Sequence, residues 1–213
     1  MGSKGKRNKK QRTSSTGGRR SGRAGQRREA ANQRLTLLIG GLSVGLVALV
    51  AIVFFVAVVS QTEASDFEVA VYQGQEELGG DDVNFNDVLT AGKPVILNFW
   101  GGDCPPCRAE MPDLQRFYDG HEASVTLLGL DVGKYRGLGT EQSALSLLEE
   151  LEITYPAGTP PTPPNSKPLS AYNVSGLPST VFFDSNGQVF RQWDGLINAR
   201  QLADVVSGLL DQS

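Results

Sequence analysis

The longest uninterrupted apolar run is LTLLIGGLSVGLVALVAIVFFVAVV, residues 35–59, broken only by Thr36 and Ser43. As a helix at about 1.5 Å per residue it would reach roughly 37 Å, against about 30 Å of bilayer hydrocarbon. A cleaved signal peptide carries a shorter apolar stretch and a small-residue cleavage site, and the positions around Ser60 and Ala64 supply a poor one. The pattern therefore predicts one transmembrane helix over 35–59. Gly41 and Gly45 within it form a small-xxx-small pair that suits close helix approach.

Beyond a short linker at 60–65 the periodicity changes. DFEVAVYQ (66–73) alternates like a strand, and VNFNDVLTAGKP (83–94) reads as a short strand, a helical turn and a loop. PVILNFW (94–100) is nearly continuous in strand formers, as for a strand covered on both faces. A helix is expected from Pro105 to about Tyr118, with Pro106 in its first turn and a kink at Pro112. SVTLLGLDVG (124–133) predicts a second buried strand. TEQSALSLLEELEI (140–153) predicts a helix capped by Thr140, with Leu145, Leu148 and Leu151 on its apolar face. Six prolines in residues 154–168 predict a loop. STVFFD and QVFRQWDG flank an Asn186-Gly187 hairpin turn, and Asn198 opens a last helix with Leu202, Val205, Val206 and Leu209 on one face. The expected fold is α/β, one domain over 66–213 with a mixed central sheet flanked by helices.

The formal net charge of −3 hides a strong asymmetry. Residues 1–34 hold twelve Lys or Arg against Glu29 alone, so the remainder is strongly acidic. That composition predicts a disordered tail. An Arg- and Gly-rich arm suggests nucleic acid, but no aromatic residue is present there to stack on bases, and a topology signal resting on anionic lipid fits better. Basic residues stay on the cytoplasmic side of a membrane helix. The tail is then cytoplasmic and residues 60–213 are exported.

Candidate chemistry centres on Cys104-Pro-Pro-Cys107, the only two cysteines. Zinc needs at least three protein ligands, and the single histidine, His121, falls at the far end of the same helix. A purely structural disulfide closing so short a loop removes little chain entropy. A redox pair explains the position. Cys104 lies between a strand and a helix, where unpaired N–H groups and the positive dipole end favour a thiolate, and Cys107 follows one turn on. No cofactor is called for.

The segment Val95-Ile-Leu-Asn98-Phe-Trp100-Gly-Gly-Asp-Cys104-Pro-Pro-Cys107-Arg-Ala-Glu110-Met-Pro112, with Gly176-Leu-Pro178-Ser-Thr180 downstream, resembles the membrane-anchored thioredoxin-like family that includes TlpA and ResA. The likeness covers roughly residues 66–211. It implies a thioredoxin-like fold and an extracytoplasmic thiol-disulfide oxidoreductase that reduces exported protein clients, for example in cytochrome c maturation, using electrons from a membrane partner. It further implies Cys104 as the exposed nucleophile, Cys107 as the buried resolving cysteine, and Pro178 as a cis-proline facing the site. Leu177 would offer its backbone to a client, Trp100 would line or shield the site, and Glu110 would handle protons. Asn98 stands where cytosolic thioredoxins carry a buried aspartate, which leaves Glu110 as the better relay. Glu110 also reads as a first-turn carboxylate favoured by the helix dipole. Two rival functions stay open: an oxidant of the same fold, and a non-catalytic client-binding module. Asp103 departs from the aromatic residue common before the nucleophile, and a carboxylate there opposes a thiolate.

Overall fold

The computed structural model describes residues 46–55, 66–161 and 168–211. The chain divides into two compact units, Met1–Phe55 and Val56–Ser213. In the first, residues 46–55 form helix α1, with its apolar side chains exposed. The remainder of the expected 35–59 span, the tail 1–34 and the linker 60–65 lie outside the described residues. Among the described residues, no helix is long and apolar enough to cross a membrane.

The second unit is built on seven strands: β1 (Glu68–Gln73), β2 (Asp82–Asn84), β3 (Val95–Trp100), β4 (Thr126–Asp131), β5 (Ala157–Thr159), β6 (Ser179–Phe183) and β7 (Val189–Asp194). Their order across the sheet is β2-β1-β5-β4-β3-β6-β7. The β3–β4 and β4–β5 pairs are parallel and the other pairs antiparallel, so the sheet is mixed as expected. The unbroken apolar runs become β3 and β4, in which every residue is buried. That is the pattern of strands covered on both faces.

Helices α2 (Gln75–Leu78), α3 (Phe85–Thr90), α4 (Pro105–His121), α5 (Gly133–Arg136), α6 (Glu141–Glu150) and α7 (Ala199–Leu210) complete the unit. One face of the sheet packs Ile96, Trp100 and Leu127 against Met111 and Leu114 of α4, Leu147 and Leu148 of α6, and Leu202, Val205, Val206 and Leu209 of α7. The opposite face holds Phe85, Val88 and Leu89 of α3 with Tyr172, Val174 and Phe183. Asn198 caps α7, its side chain accepting from Gln201 N while the Gln201 side chain accepts from Asn198 N. The pairing satisfies two of the helix's orphan donors.

Three expectations need correction. The segment 154–168 is not all loop, because Ala157–Thr159 pairs with both β1 and β4. Its residues 162–167 lie outside the described ones. Helix α4 contains Pro112 and extends beyond the expected end near Tyr118 to His121, and Pro112, having no N–H, offers no donor to the Arg108 carbonyl. In α6 the inward residues are Ala144, Leu147 and Leu148, whereas Leu145 is 38% exposed. The capping box at Thr140 sets the helix phase, and that phase turns Leu145 outward.

This phase has a measurable consequence. Leu148→Ala is expected to lower the unfolding free energy by about 2–5 kcal/mol. Leu145→Ala should cost less than about 1 kcal/mol in the same urea titration. Equal losses would mean that the helix is rotated.

Candidate active site

Strand β3 ends at Trp100 and α4 begins at Pro105, so four residues turn the chain from sheet to helix. Cys104 is the N-cap in extended conformation, and Pro105 and Pro106 occupy the first helical positions, where a missing N–H costs nothing. Cys104 and Cys107 are joined by a disulfide. The Cys107 backbone N–H donates to Cys104 Sγ over 3.3 Å. That sulfur therefore sits where the helix's free donors and positive dipole end are concentrated, an arrangement that stabilises a thiolate after reduction.

The turn is held from behind. A Cβ on Gly101 would lie 2.6 Å from the Leu138 carbonyl oxygen, and one on Gly102 would lie 2.5 Å from the Ala144 backbone nitrogen. Asp103 N donates to the Leu138 carbonyl at 2.9 Å. The α5–α6 connection is thus pressed directly onto the backbone that presents Cys104.

Glu110 is fully buried one turn beyond Cys107, on the same side of α4. Asn98 Nδ2 donates to its Oε1 at 2.7 Å and Ile197 N donates to its Oε2 at 2.9 Å. Asn98 Nδ2 also donates to Thr180 Oγ1 at 3.0 Å, so the acid is tied to β3, β6 and the segment leading into α7. Burial pushes the Glu110 carboxyl up to about 7, although both hydrogen bonds favour the charged form and act against the shift. Desolvation prevails because both donors, Asn98 Nδ2 and Ile197 N, are neutral. Asp113, one turn further, caps α7 by accepting from Ala199 N at 2.7 Å.

Pro178 follows Leu177 through a cis peptide bond, and its carbonyl accepts from Gly195 N at 2.9 Å. Leu177 is half-buried and packs against both faces' clusters. Ser179 Oγ donates to Asp194 Oδ1 at 2.8 Å, which links the proline strand to the exit of β7.

Trp100 and Cys104, beside the β3–α4 turn, are both buried, and for Cys104 that departs from expectation. Trp100 has no exposed area and lies in the same core cluster as Cys104 and Cys107. Cys104, expected to be exposed, is only 2% exposed as the disulfide, because it packs within the cluster that contains Trp100, Cys107 and Ile197. His121 closes the far end of α4, stacked on Phe117, with Nδ1 at 2.8 Å from the Phe117 carbonyl. Among the described residues, no group of three His, Cys, Asp or Glu side chains is arranged to hold a metal.

Sequence reasoning missed a second buried acid. Asp131 ends β4 beside Trp100, accepts from Gly133 N at 2.9 Å, and accepts from Tyr72 Oη at 3.2 Å. Burial raises its pKa, with the Gly133 and Tyr72 hydrogen bonds opposing the shift. An acid closing an otherwise apolar run, LLGLD, was the available signal. Tyr155 was also missed, since it lies in the segment read as loop.

The sequence pattern of the AhpC/TSA family matches residues 61–199. The chain is 29% identical over 150 residues to the thiol-disulfide oxidoreductase ResA of Oceanobacillus iheyensis, covering 70% of this chain and 72% of that protein. It is 34% identical over 134 residues to ResA of Geobacillus kaustophilus, covering 62% and 68%. Among solved structures, a DsbF homologue from Corynebacterium diphtheriae superposes with a TM-score of 0.55 at 26% identity, covering 68% of this chain and 85% of that one. StoA from Bacillus subtilis superposes at 0.52 with 22% identity, covering 67% and 98%, and shows the same fold. With a disulfide at the head of α4, a buried acid one turn behind it and a cis-proline in the partner loop, the chain belongs to the AhpC/TSA family as a thioredoxin-like redox enzyme of the ResA and StoA kind.

Proposed function

We propose that the chain is a membrane-anchored, extracytoplasmic reductase of disulfides in exported proteins, apocytochromes or cofactor-assembly proteins among them. The observation that carries the redox part is the Cys107 N–H aimed at Cys104 Sγ at a helix start. Cys104 thiolate attacks a client disulfide, forming a mixed disulfide and releasing one client thiolate. Cys107 then gives its proton to the Glu110 carboxylate and attacks Cys104 Sγ. The Cys104–Cys107 bond forms, the second client thiolate leaves, and two electrons have passed to the client. A dithiol donor in the membrane would restore the reduced pair. Leu177 and Pro178 border the site, and an extended client segment would lie along their backbone. Anchorage by residues 35–59 with the basic tail in the cytoplasm rests on the apolar run and the charge asymmetry.

Insulin reduction by the full chain, with Cys104→Ser as control, tests the reading. Activity lost in the variant is the expected result, and equal rates would leave a client-binding module instead. Cys107→Ser should accumulate mixed disulfides with clients. The direction is read from the equilibrium potential of the pair. A value near about −270 mV fits a reductant, and one near about −120 mV makes the enzyme an oxidant.

Glu110 also sets a stability signature. Its folded pKa lies above the ordinary 4.5, so the folded state holds a proton that the unfolded chain has lost between about pH 4.5 and 7. Stability contributed through this group is therefore greatest below that window and falls as pH rises through it, by about 3 kcal/mol in all. Glu110→Gln is expected to remove that part of the slope in urea titrations at pH 5 and pH 8. The same variant should slow the resolving step above pH 7, where the wild-type carboxylate is free to take the Cys107 proton.

Asp103 is exposed beside the nucleophile. Asp103→Asn should lower the Cys104 thiol pKa by a few tenths of a unit, the size suited to a solvent-screened charge. Iodoacetamide alkylation against pH measures it, and an unchanged midpoint removes Asp103 from the account.

A further inference from the structure

Asp131 is fully buried and takes no part in the disulfide exchange itself, yet its hydrogen bonds lead toward the nucleophile. It ends β4 opposite Trp100 in register. Helix α5 starts two residues later with Val132 at its N-cap, and valine has no side-chain acceptor for the helix's free amides. Asp131 Oδ1 takes that place, accepting from Gly133 N at 2.9 Å. Its other oxygen accepts from Tyr72 Oη at 3.2 Å, and its backbone carbonyl from Thr159 Oγ1 at 2.9 Å, so β1 and β5 fix the acid from behind.

Gly133 passes this constraint on. Its carbonyl accepts from Leu138 N at 2.9 Å, and the Leu138 carbonyl accepts from Asp103 N at 2.9 Å, one residue before Cys104. The packing follows the same route. A Cβ on Gly133 would stand 2.8 Å from Gly101 Cα and 2.6 Å from the Leu138 oxygen. The Gly101 carbonyl in turn accepts from Cys104 N at 3.2 Å. Three hydrogen bonds in series and one backbone contact thus join Asp131 to the turn that presents Cys104. Deprived of its acceptor, the buried Gly133 amide would have to move toward another partner, taking the Leu138 carbonyl with it.

A role exerted through charge would have the opposite sign. A carboxylate acting on Cys104 by its charge opposes the thiolate, so removing it lowers the thiol pKa. Loss of position takes the sulfur from the helix start and raises that pKa. The charged groups that act on Asp131 itself are Lys134 on α5 and Glu141 on α6, beside the Tyr72 hydroxyl on β1.

We propose that Asp131 is a positioning residue for Cys104: its Oδ1, by holding the Gly133 amide, keeps the Leu138 carbonyl on Asp103 N and the Cys104 sulfur at the start of α4. This rests on the reading of Cys104 as the nucleophile, and adds to it an acid that works as an acceptor and not as a charge.

The full chain carrying Cys107→Ser has Cys104 as its only thiol. In that background, iodoacetamide alkylation against pH gives the Cys104 midpoint. Asp131→Ala is expected to raise it by about half a unit to one unit, the worth of a first-turn dipole. Asp131→Asn keeps an oxygen for Gly133 N and should restore the midpoint to within about a few tenths of a unit. A purely structural role predicts a lower urea midpoint in Asp131→Ala with alkylation unchanged, and that outcome overturns the proposal. A lowered alkylation midpoint, or an asparagine shift equal to that of alanine, also overturns it. Where Asp131→Ala does not fold, amide exchange in the unmutated, reduced chain decides. Gly133 and Asp103 should be protected together, whereas Asp103 protected beside a freely exchanging Gly133 overturns the proposal. Insulin reduction surviving in Cys104→Ser would sink the nucleophile reading instead, and the alkylation midpoint is read either way.

Discussion

The site depends on one steric constraint, the contact between the β3–α4 turn and the α5–α6 connection. Leu138 offers its carbonyl to Asp103 N while standing where any side chain at Gly101 would go. The start of α6 occupies the corresponding space over Gly102. With no slack on that side, the chain leaves the sheet along one path, and Cys104 arrives at the N-cap with its sulfur under the Cys107 amide. The electrostatic advantage of a helix start is confined to the first turn. The steric contact is therefore what makes that advantage available to one sulfur and not to a neighbouring residue.

A second constraint runs across the sheet. Asn98, Thr180 and Trp193 form a cross-strand row on the α4 face of β3, β6 and β7, and Glu110 reaches down from α4 to join it. A buried acid with only neutral donors is expensive to ionise, and the pKa near 7 expresses that cost. The same arrangement joins the acid to the cis-proline loop. Ile197 donates to Glu110 two residues after Gly195 has donated to the cis-proline carbonyl. The acid and the loop beside the cysteines thus share one short stretch of backbone.

The strands, the terminal helix and the cysteine pair were legible because each rests on local or periodic information. Val95–Trp100 is an apolar run, Leu202 to Leu209 keeps helical spacing, and a cysteine between strand and helix carries its own electrostatic argument. What the sequence concealed depends on tertiary placement. Nothing local distinguishes Trp100 as core from Trp100 as surface, and its burial follows from α4 and α6 closing over β3. Ala157–Thr159 has no apolar alternation and becomes a strand only because β1 and β4 offer edges on either side. Tyr155 is likewise silent in sequence, since its burial comes from its position just ahead of that strand. Leu145 misled because three leucines at a spacing of three drift around a helix of 3.6 residues per turn.

Burial of both cysteines as the disulfide bears on how the enzyme works with its clients. A cysteine only 2% exposed is a poor target for an incoming thiolate in this arrangement, so exchange requires part of the cover to yield. The α5–α6 contact is a poor candidate to move, because backbone meets backbone there and displacing it would carry Cys104 away from the helix start. On the opposite side lie half-buried Leu177 and the exposed stretch Asp194–Leu196, attached to the sheet mainly through the Gly195–Pro178 hydrogen bond and the Ser179–Asp194 pair. Movement there would leave the electrostatic setting of the sulfur intact. It would also displace Ile197, one residue further on, from Glu110, removing a donor to the carboxylate and favouring its protonated form. The donor to the buried acid, Ile197 N, and the donor to the cis-proline carbonyl, Gly195 N, thus lie on a single backbone segment.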